Sequence, residues 1–202
     1  MQKMARGTKG IWNAANKVTV ARVALVPIWL ALAELSSPAD ARFSMSAFLV
    51  AFLYIIISLT DKLDGYLARS RGQVTAFGQF LDPIADKLAV IVALCYLLEI
   101  DAVSSWVLLI IVAREFLVSG LRMVVASAGV VVPASNLGKW KTAVTMVAIC
   151  GILMVRAMPV GFVASSHIDI VFYVLLGIAV VLTAWSGVDY FVKCWPYVAS
   201  GK

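Results

Sequence analysis

The chain has 202 residues, of which 62% are hydrophobic and 14% charged. A soluble domain runs at roughly 45–50% and about 25%, so an ordinary soluble domain is excluded. The net charge of +6 comes from 17 Lys+Arg and 11 Asp+Glu; in so apolar a chain it reads as basic residues gathered on one side of a membrane, and no nucleic-acid partner is expected.

Taken in order, Met1–Lys17 carries Lys3, Arg6, Lys9, Trp12 and Lys17 and reads as an interfacial helix lying on the membrane. Six apolar runs follow, at about 20–35, 44–60, 84–98, 103–126, 142–155 and 168–192. They are separated by clusters of Gly, Pro, Ser, Asn and Asp that break helices, including Ser36–Asp40, Ser70–Gln73, Val132–Asn136 and Met158–Gly161. Ala39-Asp40-Ala41 looks like a signal-peptidase site, but the long basic lead and five further apolar runs speak against cleavage. The expectation is an all-α integral membrane protein with six transmembrane helices after an N-terminal interfacial helix. Its parts are residues 1–19 as a juxtamembrane segment, 20–195 as one transmembrane domain and 196–202 as a short tail. Basic residues concentrate at alternate ends of the runs, which places both termini on the cytoplasmic side. The three cysteines, Cys95, Cys150 and Cys194, read as buried apolar residues without a disulfide framework, and His167 as a surface residue of a polar loop.

Between the second and third runs the sequence reads D-x2-D-G-x2-A-R-x8-G-x3-D-x3-D, from Asp61 to Asp86. On a helix, Asp61, Asp64, Gly65 and Ala68 fall at i, i+3, i+4 and i+7, a single stripe. Gly78, Asp82 and Asp86 fall at i, i+4 and i+8, a second stripe. A turn around Gly72 would set the stripes face to face. Four carboxylates converging in a low dielectric repel one another unless cations sit among them. All-oxygen ligation favours Mg²⁺, Mn²⁺ or Ca²⁺, and Mg²⁺ commonly completes its shell with substrate phosphate. Gly65, Ala68 and Gly78 leave room for a nucleotide to approach the backbone, and Arg69 is placed to neutralise phosphate as a planar fork.

This string resembles, over its whole length, the signature of the CDP-alcohol phosphotransferases. The resemblance implies a six-helix membrane fold, a homodimer, and an active site open to the cytoplasm of a bacterial cell membrane. It also implies displacement of CMP from a CDP-linked substrate by an acceptor hydroxyl. By the same resemblance, Asp61, Asp64, Asp82 and Asp86 hold two divalent cations, Mg²⁺ or Mn²⁺, with Asp82 and Asp86 the catalytic pair. Gly65, Ala68, Arg69 and Gly78 contact the CDP moiety, and Asp86 is the base for the acceptor. A carboxylate beside metal is a weak base, so that role requires an acceptor hydroxyl that is itself acidified or well positioned.

Further basic residues bear on the acceptor. Arg114 lies well inside the fourth run, and Arg122 stands eight residues on, about 80° around a helix, so both can face one cavity. Lys139 and Lys141 open the fifth run. Together they suggest an anionic acceptor, most simply a phosphate. The strings Ala113–Phe116, Gly120–Arg122 and Leu137–Thr142 resemble one branch of the family, the bacterial phosphatidylglycerophosphate synthases. So does Asn16-x2-Thr19-x2-Arg22, and the resemblance adds Asn16 and Thr19 to the CDP contacts. The implied reaction joins CDP-diacylglycerol to glycerol 3-phosphate, whose phosphate would be held by Arg114, Arg122, Lys139 and Lys141. Inositol phosphate, serine or phosphatidylglycerol are rival acceptors. A divalent-cation transporter could also use intramembrane carboxylates, but it would need neither Arg69 nor the small residues at 65, 68 and 78.

Overall fold

The computed structural model describes the backbone of residues 14–38, 42–70, 76–127 and 136–199; within these, the side chains of 14, 15, 61–70, 76, 79, 82, 127, 136, 137 and 139 lie outside the described set. The described residues are helical with no strand: α1 (Ala14–Glu34), α2 (Met45–Ser70), α3 (Ala76–Glu99), α4 (Ser105–Ser127), α5 (Asn136–Val155), α6 (Val160–Ser166) and α7 (Ile168–Ala199).

The six apolar runs correspond to the six long helices, but the helices outrun them. α2 continues ten residues beyond Thr60, through Asp61 and Asp64 to Ser70, and α3 begins at Ala76, before Asp82 and Asp86. Hydropathy marks only the apolar part of a helix, whereas the backbone ladder carries on through polar residues, here through Gly65 in α2 and Gly78 in α3 as well. Pro83 is the eighth residue of α3, inside the helix, where its missing N–H forfeits one backbone hydrogen bond. A seventh helix corrects the expected break and polar loop after the fifth run. α6 starts behind Pro159 and ends at His167, whose backbone is left-handed at φ 50° and whose N–H donates to the Val163 carbonyl at 2.9 Å. His167 is thus a helix C-cap. The interfacial helix expected over Met1–Lys17 falls mostly outside the described residues, and its last positions belong to α1.

Packing fixes which helix ends meet. α1 packs on α2 and α3, α5 on α7 and α2, and α4 on α7. Trp29 of α1 is 2% exposed, stacks obliquely on Tyr54 at 5.1 Å and edge-on against Tyr96 at 5.8 Å, and donates to the Val50 carbonyl at 2.9 Å. Tyr96 in turn donates to the Ala33 carbonyl at 3.1 Å. One aromatic cluster, in which Trp29 and Tyr96 have their polar tips satisfied and the Tyr54 hydroxyl is buried without a hydrogen-bond partner among the described residues, therefore clamps α1, α2 and α3. Between α5 and α7 the approach is closer: a Cβ added at Gly151 would meet the Phe172 ring at 1.9 Å. Only glycine lets that ring seat against the α5 backbone.

Long-range contacts sort the helix termini into two ends of the bundle. Toward one, Arg22 in the first half of α1 meets Thr60 in the second half of α2, and Lys87 in the middle of α3 and Lys141 near the start of α5 meet Glu115 in the middle of α4. At the other, the end of α1 meets the end of α3 (Tyr96 to Ala33), and the start of α2 meets the end of α5 (Ser44 N–H to the Ala157 carbonyl, 3.0 Å). Outward faces are apolar rather than charged; α7 exposes Ile170, Val171, Val174, Ile178, Val181 and Val188 along its length. So broad an apolar surface requires a cover. Among the described residues, Asn16–Glu34 and Ile168–Ala199 are long and apolar enough to cross a membrane.

Candidate active site

The aspartate-bearing segments have the local structure that their spacing predicts. Asp61, Asp64, Gly65 and Ala68 lie in the uninterrupted helix α2, and Gly78, Asp82 and Asp86 in α3. The side chains of Asp61, Asp64, Gly65, Ala68, Arg69 and Asp82 lie outside the described residues, as do residues 71–75 around Gly72. The backbone of Gly78 is buried and Asp86 is half-buried. By residue type alone, four carboxylates in pairs about one helical turn apart along α2 and α3 offer only oxygen, the donor that hard divalent cations require.

α1 supplies a polar wall at the same end. Asn16, Thr19 and Arg22 are 3%, 1% and 2% exposed, at i, i+3 and i+6 on the helix face turned inward. Arg22 donates from Nε to Thr60 Oγ1 at 3.4 Å, and Thr60 immediately precedes Asp61. The Thr60 hydroxyl in turn donates to the Ile57 carbonyl at 2.7 Å. A buried guanidinium is costly without partners, and here Thr60 supplies one.

The basic residues divide. A cavity is lined by Asp86, Lys87, Glu115, Lys141, Thr142, Thr145 and Thr183, with Val90, Ile91 and Ile111 on its apolar side. Glu115 is its pivot. Its carboxylate pairs with Lys141, with Arg114 Nη1 at 3.1 Å and with Lys87 at 3.9 Å. Arg114 also donates from Nε to Ser186 Oγ at 3.2 Å, and Lys87 donates to Ser119, whose hydroxyl donates onward to the Glu115 carbonyl at 2.7 Å. Three cations around one carboxylate leave a surplus of positive charge, and the side chains of Glu115, Arg114 and Lys141 are only 16%, 12% and 9% exposed. Small buried residues on α7 permit this convergence: Ser186 is fully buried and Gly187 lets the Arg114 side chain lie against the helix backbone.

Arg122 does not join them. It is exposed, its guanidinium carbon lies 5.6 Å from the centroid of the Tyr190 ring, and it is not among the residues lining the cavity. A turn of 80° was enough to send it to a different partner, the π face offered by α7. The side chain of Lys139 lies outside the described residues. Conversely, Lys87 and Glu115 are site residues that sequence spacing does not single out. Lys87 reads as one more basic residue at a helix end, and Glu115 as a neighbour of Arg114.

Comparison with known proteins decides the family. The family model for CDP-alcohol phosphatidyltransferase matches residues 12–185. The chain belongs to the CDP-alcohol phosphatidyltransferase family. It is 39% identical over 193 residues to a Bacillus subtilis protein named CDP-diacylglycerol–glycerol-3-phosphate 3-phosphatidyltransferase, covering 92% of this chain and 96% of that one. A Rickettsia typhi protein of the same name is 40% identical over 185 residues, covering 92% and 98%. A probable phosphatidylglycerophosphate synthase of Mycobacterium tuberculosis is 36% identical over 188 residues, covering 93% and 84%. Members of this family are phosphatidyltransferase enzymes, and the string from Asp61 to Asp86 lies inside the matched region.

Proposed function

We propose that this enzyme transfers the phosphatidyl group from CDP-diacylglycerol to glycerol 3-phosphate, giving phosphatidylglycerophosphate and CMP. One observation carries the choice of acceptor: the cavity lined by Asp86 and Glu115 is also lined by Lys87 and Lys141, and Arg114 pairs with Glu115 from behind, so three cations stand against two carboxylates. A low-exposure site with surplus positive charge suits a phosphate dianion and disfavours a neutral alcohol. The relatives' names point to the same acceptor.

On this reading, six helices cross the bilayer with both termini and the active site at the cytoplasmic face of the bacterial cell membrane. The enzyme acts as a homodimer. The diacylglycerol tails of the donor stay among lipids while its CDP headgroup reaches the α2–α3 segments, where Gly65, Ala68, Arg69 and Gly78 leave space and charge for it. Asn16 and Thr19 form the wall on the α1 side. Asp61, Asp64, Asp82 and Asp86 would hold the two divalent cations, Mg²⁺ or Mn²⁺. When bound, these neutralise charge on the transferring phosphoryl group and on the departing CMP. The chain's own residues do the rest. Arg114, Lys141 and Lys87, together with Lys139, hold the acceptor phosphate, and Glu115 keeps Arg114, Lys141 and Lys87 together. Asp86, lining the same cavity, accepts the proton of the attacking hydroxyl, and the new ester bond forms as the bond to CMP breaks.

The test is a panel of acceptors given to the purified enzyme with CDP-diacylglycerol and Mg²⁺, scored by CMP release and by the lipid formed. Glycerol 3-phosphate should be consumed and serine, phosphatidylglycerol and inositol phosphate left. Preference for inositol phosphate would refute the acceptor and keep the reaction class. No CMP release with any acceptor would refute the enzyme reading, as a cation transporter would behave.

A further inference from the structure

The end of the bundle away from the aspartates carries a second charged cavity. Arg156 follows the last residue of α5, its backbone tied to the Ile152 carbonyl at 3.2 Å. Its guanidinium carbon lies 5.6 Å from the centroid of the Tyr96 ring, and its Nε is buried without a hydrogen-bond partner. A buried guanidinium nitrogen with nothing to donate to is costly and marks a place for an acceptor from outside the chain. Two cavities, of about 270 and 370 Å³, share Val155, Arg156 and Asp169 in their linings and so meet at this side chain. Asp101 and Tyr173 add polar groups to the first; Met158, Val160 and Val163 form an apolar wall in the second.

Asp101 is presented by a built turn. Its backbone is left-handed at φ 55°, its N–H donates to the Leu98 carbonyl at 3.0 Å, and the Ala102 N–H donates to the Leu97 carbonyl at 2.8 Å. Asp169 stands in the first turn of α7. Around the cavities, Val160 and Phe162 of α6 and Ile170, Val171 and Val174 of α7 face outward. A site with one cation, two carboxylates and an apolar rim asks for a ligand that is itself both charged and apolar.

We propose that this cavity binds the headgroup of a phospholipid that carries a primary ammonium beside its phosphate, drawn from the leaflet opposite the catalytic end. The proposal rests on the membrane-spanning reading above. Arg156 takes the phosphate as a planar fork, ending the isolation of Nε. Asp101 and Asp169 take the ammonium, whose three N–H groups can serve both carboxylates. Charge selects this lipid class. The cavity's own balance is one positive group against two negative, so an anionic lipid would deepen the imbalance, whereas a zwitterion pairs every group it meets. A quaternary ammonium has the same charge but no N–H to donate. The acyl chains continue over the apolar rim of α6 and α7.

The experiment uses the full chain purified in detergent, with short-chain phosphatidylethanolamine, phosphatidylcholine and phosphatidylglycerol as probes. Bound lipid is counted by native mass spectrometry, and CMP release is measured in the same preparations. Phosphatidylethanolamine should bind about tenfold more tightly than either of the others, and Arg156→Gln should weaken it by about tenfold. Asp101→Asn alters an exposed residue, and asparagine tolerates the left-handed backbone, so this variant stays folded. It should lose the preference for phosphatidylethanolamine over phosphatidylglycerol. CMP release should stay within about twofold of the wild type in both variants. Equal binding of the three lipids, or an undiminished preference in Arg156→Gln or Asp101→Asn, overturns the proposal. Intact CMP release with no lipid preference removes this site alone; preserved lipid preference without any CMP release removes the proposed reaction alone.

Discussion

Replacing Lys141 with methionine removes one of the three cations around Glu115 while keeping a side chain of similar length. Glu115 retains Arg114 at 3.1 Å and Lys87 at 3.9 Å, so no carboxylate is left buried and unpaired. The ammonium that is lost was itself largely buried, at 7% residue exposure, and its desolvation cost goes with it. The net change in stability is therefore expected within about 1 kcal/mol, far from the roughly 3–5 kcal/mol of breaking a buried pair outright. Binding behaves differently. A hydrogen bond from a charged donor to phosphate is worth about 1.5–3 kcal/mol, and each 1.4 kcal/mol is a factor of ten. The KM for glycerol 3-phosphate should rise by about tenfold to a hundredfold, with the KM for CDP-diacylglycerol unchanged. Initial rates of CMP release in mixed micelles, varying each substrate in turn, measure both. An unchanged KM for glycerol 3-phosphate in a folded Lys141→Met enzyme would refute the assignment of this cation to the acceptor.

Further outcomes follow from other parts of the structure. Arg122→Gln removes a guanidinium that sits over Tyr190 away from the cavity; it should cost about 0.5–1 kcal/mol of stability and leave the KM for glycerol 3-phosphate within about threefold, by the same rate assay. Asp86→Asn should lower kcat by at least about a hundredfold with the unfolding midpoint preserved, and a variant of near wild-type rate would remove Asp86 from the chemistry. Chelation with EDTA should stop CMP release, and Mg²⁺ or Mn²⁺ should restore it; activity that survives chelation would refute the metal reading. Gly151→Ala places a Cβ against the Phe172 ring and should destabilise by about 1–3 kcal/mol in thermal unfolding, with Phe172→Ala in the same chain relieving the clash.

The sequence was most informative where chemistry imposes spacing along one helix. Asp61 to Ala68 and Gly78 to Asp86 are each separated by about two helical turns, and α2 and α3 run through them. It was least informative where partners come from different helices. Lys87, Glu115 and Lys141 belong to α3, α4 and α5, and nothing local to any of them announces the other two. Arg122 shows the same limit from the other side, because its partner Tyr190 lies on α7, far along the chain. α6 was hidden for a local reason: Val160–Ser166 is a short piece containing Gly161 and two serines between Pro159 and His167, and such composition reads as a loop.

The length of α2 has a mechanical meaning. At about 1.5 Å per residue, Met45–Ser70 spans on the order of 39 Å, against roughly 30 Å for the hydrocarbon of a bilayer. In a membrane-spanning α2, the surplus emerges as one rigid stem, and Asp61 and Asp64 ride on it with no joint between them and the anchored part. The stem acts as a depth gauge. On the function proposed above, it holds the reacting phosphorus at the level where lipid headgroups already lie, so the donor need not be lifted out of its leaflet.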